Sequence, residues 1–121
     1  MAGLTAKPFD KPDETRTPDK AKMEMLDLGS VKAARLTAEP GWRWSECIKP
    51  VVGTDSCQAR HIGTAVSGLL HLKHDDGTET DIEAGHAYLI EPGHDAWVVG
   101  NEPFVGYEFE STSAETYAKP S

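Results

Sequence analysis

The stretch HIGTAVSGLLHLKHDDGTETDIEAGHAYLIEPGHDAWVV, residues 61–99, decides how the chain folds. It breaks into short apolar or alternating runs at 61–66, Leu69–His74, 78–82, Ala87–Ile90 and 96–99, each closed by glycine, proline or acidic residues. Runs of that length with that punctuation read as short antiparallel strands. Asp75, Asp76 and Gly77 give the sharpest turn signal, because Asp and Gly tolerate the positive φ that tight hairpins demand. The segment from Leu69 to Ile82 is therefore predicted to be an antiparallel hairpin. Similar runs at 23–28, 31–37, 42–48 and 104–110 bring the total to eight or nine strands, and the one helix-compatible stretch, 112–117, reads as a frayed terminal turn.

Working outward, 121 residues give room for one domain with one core. Residues 1–22 carry Pro8, Pro12 and Pro18 among alternating charges and few apolar residues, which reads as a flexible N-terminal arm. The barrel is expected over 23–110 and a C-terminal tail over 111–121. No apolar run approaches the roughly 20 residues that cross a bilayer. The first residues lack the pattern of a secretory signal, so a cytoplasmic location is expected. In that compartment Cys47 and Cys57 are expected as two free thiols. The net charge is −8, and between Lys73 and Lys119 there are eleven Asp or Glu and no Lys or Arg. A nucleic-acid backbone would be repelled there, and the basic residues of the arm are nearly cancelled by Asp10, Asp13, Glu14 and Asp19.

Many short antiparallel strands can avoid exposed edges by folding into two facing sheets, as a jelly roll or as an immunoglobulin-type sandwich. Two turns favour the jelly roll: Val66-Ser67-Gly68, and Glu91-Pro92-Gly93-His94. They resemble the two motifs of the cupin superfamily. The first motif is a His-x-His pair, a Glu three or four residues later and a Gly seven residues beyond. Counting back from Gly68 puts His61 at the Glu place, with Cys57 and Asp55 at the two His places. In the second motif Gly85 and Gly93 match, Pro92 is one residue late, and the metal-binding His place falls on Ala96. His94 stands two residues earlier, on the same face if the strand period holds. A second register, counted forward from Gly41, would place Cys47 and Lys49 at the paired-His positions. Gly41-Trp42-Arg43-Trp44 and the run from Pro92 to Trp97 are also similar to small stand-alone bacterial cupins.

The resemblance implies an all-β double-stranded β-helix, a jelly-roll barrel of two antiparallel sheets, with a small-molecule ligand at its mouth and a homodimeric assembly. It also implies one divalent metal ion, zinc, iron, nickel or manganese, held by His61, His94, Cys57 and Asp55. An imidazole, thiolate and carboxylate mixture suits zinc or another borderline cation. The competing reading is a metal-free pocket, as in cupins that have lost the His pair and the Glu. His71, His74 and His86 are assigned to the surface. Trp42, Trp44 and Trp97 read as core or interface residues, and Arg43 and Arg60 as anchors for a carboxylate or as solvated charges. Three functions compete: a metal-dependent enzyme on a small organic substrate, a non-catalytic binding or sensor module, and a structural or partner-binding dimer.

Overall fold

The computed structural model describes residues 3–109. Its strands are β1 (Glu14–Arg16), β2 (Ala21–Asp27), β3 (Lys32–Ala38), β4 (His61–Ser67), β5 (Leu69–His74), β6 (Glu79–Glu83), β7 (Ala87–Ile90), β8 (His94–Val98) and β9 (Phe104–Glu108). Two single-turn helices, α1 (Trp44–Cys47) and α2 (Lys49–Val52), lie between β3 and β4. All pairings are antiparallel, in one sheet of order β1-β2-β3-β9-β4-β7 and a second of order β6-β5-β8. This is the two-sheet, all-β architecture that the strand rhythm predicts. No helix among the described residues is long and apolar enough to cross a membrane.

The period of two sorts each strand into an inner and an outer face. Met23 and Met25, Ala34 and Leu36, Ala65, Tyr88 and Phe104 of the larger sheet meet Leu70, Leu72, Ile82, Ala96 and Val98 of the smaller one in a single buried cluster. The Leu69–Ile82 hairpin forms as expected: Leu70 pairs with Ile82, and Gly77 takes φ 93° in the turn. Outward on the same strands, His71 sits between Glu79 and Asp81, with ring-nitrogen to carboxylate distances of 2.8 and 2.6 Å.

The expected strand at 42–48 is not one. Trp42 is buried at its start, but from Trp44 on burial follows Trp44, Cys47 and Ile48, an i, i+3, i+4 spacing that a helical turn satisfies and a strand does not. Asp95 accepts the backbone N–H of Ser45 at 3.1 Å, Pro50 opens the second turn, and Gly53 ends it in the left-handed region at φ 81°. The stretch before Met23 contributes to the sheet as well. β1 pairs with β2, Phe9 lies against Tyr107 at 5.3 Å between ring centroids, and the Arg35 guanidinium lies 5.3 Å from the centre of the Phe9 ring. These contacts lie in the segment that composition alone reads as an arm. The stretch 112–117 and the tail lie outside the described residues.

Glu24 and Arg35 face each other across β2 and β3 and form a two-pronged ion pair, Nε to Oε1 at 2.9 Å and Nη2 to Oε2 at 3.0 Å. The hydrogen bonds from Arg35 hold the Glu24 carboxyl below its ordinary range, although partial burial opposes them. A depressed carboxyl contributes stability above its unfolded pKa and loses it as pH falls through the folded value. Glu24→Gln is expected to cost about 2 kcal/mol at pH 7. Chemical denaturation should show that penalty shrinking as the pH is lowered below about 4.5.

Candidate metal centre

Three of the four residues singled out by motif spacing and strand parity converge inside the barrel. Cys57, His61 and His94 are buried, and their ligand atoms all lie within 4.8 Å of one another. His61 opens β4 and shares its inner face with Gly63 and Ala65, while His94 opens β8 and shares its inner face with Ala96. The strand parity inferred for His94 therefore holds. Cys57 lies outside any named strand, but its backbone is clamped to the start of β8. Its N–H donates to the His94 carbonyl at 2.8 Å, and its own carbonyl accepts from Gly93 at 2.7 Å.

Asp55 does not join them. Its side chain is fully exposed and forms an ion pair with Lys49 at 3.8 Å. Two residues apart in a strand would mean one shared face, but residues 53–56 form no strand, so the parity between Asp55 and Cys57 is lost. The alternative register fails too. Lys49 is on α2, and Cys47 is buried on α1, where its thiol donates to Asp19 at 3.6 Å. Both cysteines are free thiols. Arg43 lies over the Trp97 ring at 4.2 Å and pairs with Asp95 at 3.3 Å, and Arg60 pairs with Glu91 at 3.4 Å, so each candidate carboxylate anchor has a carboxylate of the chain itself. Trp42 and Trp44 are core residues.

Glu108, which motif counting passed over, completes the site. It is 2% exposed; its Oε1 lies 2.9 Å from His61 Nδ1, and its Oε2 accepts the Tyr88 hydroxyl at 2.8 Å. The signal for it was present: Phe104, Gly106 and Glu108 alternate on β9, which places a carboxylate on the face that carries a buried Phe. Two glycines make room for the network. A Cβ on Gly63 would collide with the Tyr107 carbonyl and touch the Glu108 stem, and one on Gly106 would meet the Tyr88 hydroxyl.

These contacts orient both rings. With Nδ1 of His61 on Glu108 and Nδ1 of His94 donating to the Glu91 carbonyl at 2.8 Å, each ring turns Nε2 toward Cys57, and His61 Nε2 lies 3.7 Å from Sγ. A ring fixed through one nitrogen with the other turned to a shared point is the arrangement of metal-binding imidazoles. Burial, the largest single influence on the Cys57 thiol, pushes its pKa up, but hydrogen bonds from His61 and His94 outweigh it and bring the value to about 6. Burial likewise pushes His61 down, while the Glu108 carboxylate and Cys57 raise it to about 10. Burial and the neighbouring carboxylate both push the Tyr88 phenol up, so it remains a neutral donor.

The cavity between these side chains is about 30 Å³. Beside it, between the edges of β6 and β7, runs an open groove of about 700 Å³. Leu72, Tyr88, Ile90 and His94 are walls of both spaces.

No protein-family model matches the sequence, and no curated protein matches it. Solved structures do match. A conserved protein with a double-stranded β-helix domain from Klebsiella pneumoniae is 19% identical over 88% of this chain and 84% of its own, with a TM-score of 0.56. A cupin-like protein from Thermotoga maritima is 14% identical over 78% of this chain and 70% of its own, with a TM-score of 0.52. FeII HppE is 10% identical over 88% of this chain and 60% of its own, with a TM-score of 0.61. At these identities the likeness shows the fold, a double-stranded β-helix of the cupin type.

A histidine raised by its partners stays protonated well above neutrality and loses that stabilisation as pH rises through its folded pKa. Nuclear magnetic resonance of the metal-free protein is expected to find His61 still protonated at pH 8. In Glu108→Gln the titration should fall toward the ordinary histidine range.

Proposed function

We propose that this cupin-fold chain is a metal-binding protein that acts on a small organic molecule lodged in the groove between β6 and β7. The observation that carries the reading is the gathering of Cys57, His61 and His94, all buried, with their ligand atoms within 4.8 Å of one another. The donor set fits a borderline divalent cation: two imidazoles with Nδ1 already engaged, and one thiol already biased toward thiolate. Three protein ligands leave a coordination position for an outside ligand, which separates reactive zinc sites from closed structural ones. A bound cation there would supply Lewis acidity. The protein's own part is to orient the two rings, to keep Glu108 charged beside His61 and to exclude bulk water. The likeness in fold to the FeII HppE structure is in keeping with this reading.

A second reading has its own observation. Cys57 Sγ, His61 Nε2, His61 Nδ1 and Glu108 Oε1 follow one another at 3.7 and 2.9 Å, in the order nucleophile, base and orienting carboxylate. Against it stands the cavity, whose 30 Å³ admits no substrate of ordinary size to the sulfur.

Elemental analysis of protein purified without chelators is expected to find about one metal ion per chain, and added zinc should raise the melting temperature. His61→Ala and His94→Ala should each abolish both effects, whereas Asp55→Ala should leave them intact. Metal-free wild-type protein that neither zinc nor iron stabilises would overturn the proposal and leave a metal-independent binding module. Glu108→Gln should weaken zinc binding by about 10- to 100-fold without abolishing it, the usual cost of losing the partner of a metal-binding imidazole. A competition titration with a chromogenic chelator measures that change.

A further inference from the structure

We infer that Trp42 is the residue that grips the outside ligand of this centre, its indole N–H donating a hydrogen bond to a small anion lodged in the cavity beside Cys57, His61 and His94. The inference rests on the metal-binding reading and names what the remaining position accepts.

Trp42 is 3% exposed, and its Nε1 is the one buried side-chain polar atom among the described residues that has no hydrogen-bond partner. Tryptophan carries a donor and no acceptor, so only a group with a lone pair can satisfy it. A buried N–H left unmatched is costly enough that such groups are rare in folded proteins. Trp42 is also a wall of the 30 Å³ cavity that Cys57, His61 and His94 line. Three other polar side chains around that cavity are matched inside the protein: Tyr88 donates to Glu108, Glu108 faces His61, and His94 Nδ1 donates to a backbone carbonyl. Among the described residues the Trp42 indole N–H is the fully buried donor left for a guest. Its backbone is fixed on both sides, since Trp42 N–H donates to Glu39 at 3.0 Å and its carbonyl accepts from Val98 at 3.0 Å.

Size and charge narrow the guest. About 30 Å³ is room for little more than a water-sized group, so only one or a few heavy atoms enter. The cavity walls include no lysine or arginine among the described residues, so a bound cation would be the main attraction for a negative charge. A small anion, or the anionic end of a larger molecule whose body stays in the groove, meets both conditions.

Azide is a suitable probe, being small, linear and unable to donate. In zinc-loaded, nitrogen-15-labelled protein, azide is expected to move the Trp42 indole proton downfield while those of Trp44 and Trp97 stay in place. Trp42→Phe should bind zinc as the wild type does and azide at least about tenfold more weakly. An unmoved Trp42 resonance, or equal azide affinity in the variant, overturns the inference. Should the variant fail to fold, the wild-type resonance decides alone. Cobalt absorption shows separately whether the metal site exists. If cobalt and zinc do not bind, the metal reading falls and this inference falls with it; if they bind and the Trp42 resonance does not move, the inference alone is overturned.

Discussion

A carboxylate inside an apolar barrel must be met by donors, because an ionised group taken out of water without partners is among the most expensive things a fold can contain. Glu108 is that group here, and much of the site follows from matching it. Across three neighbouring strands the register runs Tyr88 on β7, Gly63 on β4 and Glu108 on β9. With glycine in the middle, the two long side chains reach over it to meet at 2.8 Å. His61, two residues along the same face of β4, supplies the second donor and is thereby fixed in ring orientation. A side chain at Gly63 or Gly106 would disturb the network simply by occupying the space it needs.

The charges of the site form an alternating row. Glu108 is negative, His61 is held positive beside it, and Cys57, beyond the imidazole, is drawn toward its thiolate by both histidines. Each member shifts the next in the direction that favours its charged form, which is how three buried ionisable groups coexist. The same row explains why two readings fit one geometry. Thiolate, imidazolium and carboxylate are the elements of nucleophilic catalysis, and with the imidazolium proton removed they become two ligands and an orienting partner. Access separates the two: an ion fits 30 Å³, whereas a carbonyl substrate does not.

The fold was legible because it rests on features that sequence states locally. Alternation in β5, β8 and β9, the Asp-Gly turn at Gly77 and the two glycine turns at Gly68 and Gly93 each require a particular backbone geometry whatever the tertiary context. His61 was legible through motif spacing and His94 through strand parity with Ala96, since both open strands whose inner faces are marked by small or apolar residues. Asp55 was misplaced because counting residues assumes a regular strand, and the chain turns before Cys57. The run 42–48 misled because Trp42 and Trp44 alternate, while burial is set by Trp44, Cys47 and Ile48 on one side of a turn. Glu108 escaped for a different reason. Its charge argues for the surface, and only its partners, distant in sequence at His61 and Tyr88, make its burial tolerable.

On the proposed reading, the two spaces around the site would divide recognition between them. The groove is large enough for a small metabolite but offers it mainly the apolar side chains of Leu72, Ile82, Tyr88 and Ile90, beneath a rim with four carboxylates and no lysine or arginine among the described residues. Such walls hold an uncharged body and discriminate weakly among shapes. The inner cavity is the opposite: one or a few atoms in size, bounded by three metal-type donors and the unpartnered indole N–H of Trp42. A small polar end that had to satisfy both the centre and Trp42 would be selected sharply, because a mismatch would leave a buried donor without a partner. Selectivity on this chain would then lie in the end of the ligand that enters the cavity, with the groove contributing affinity.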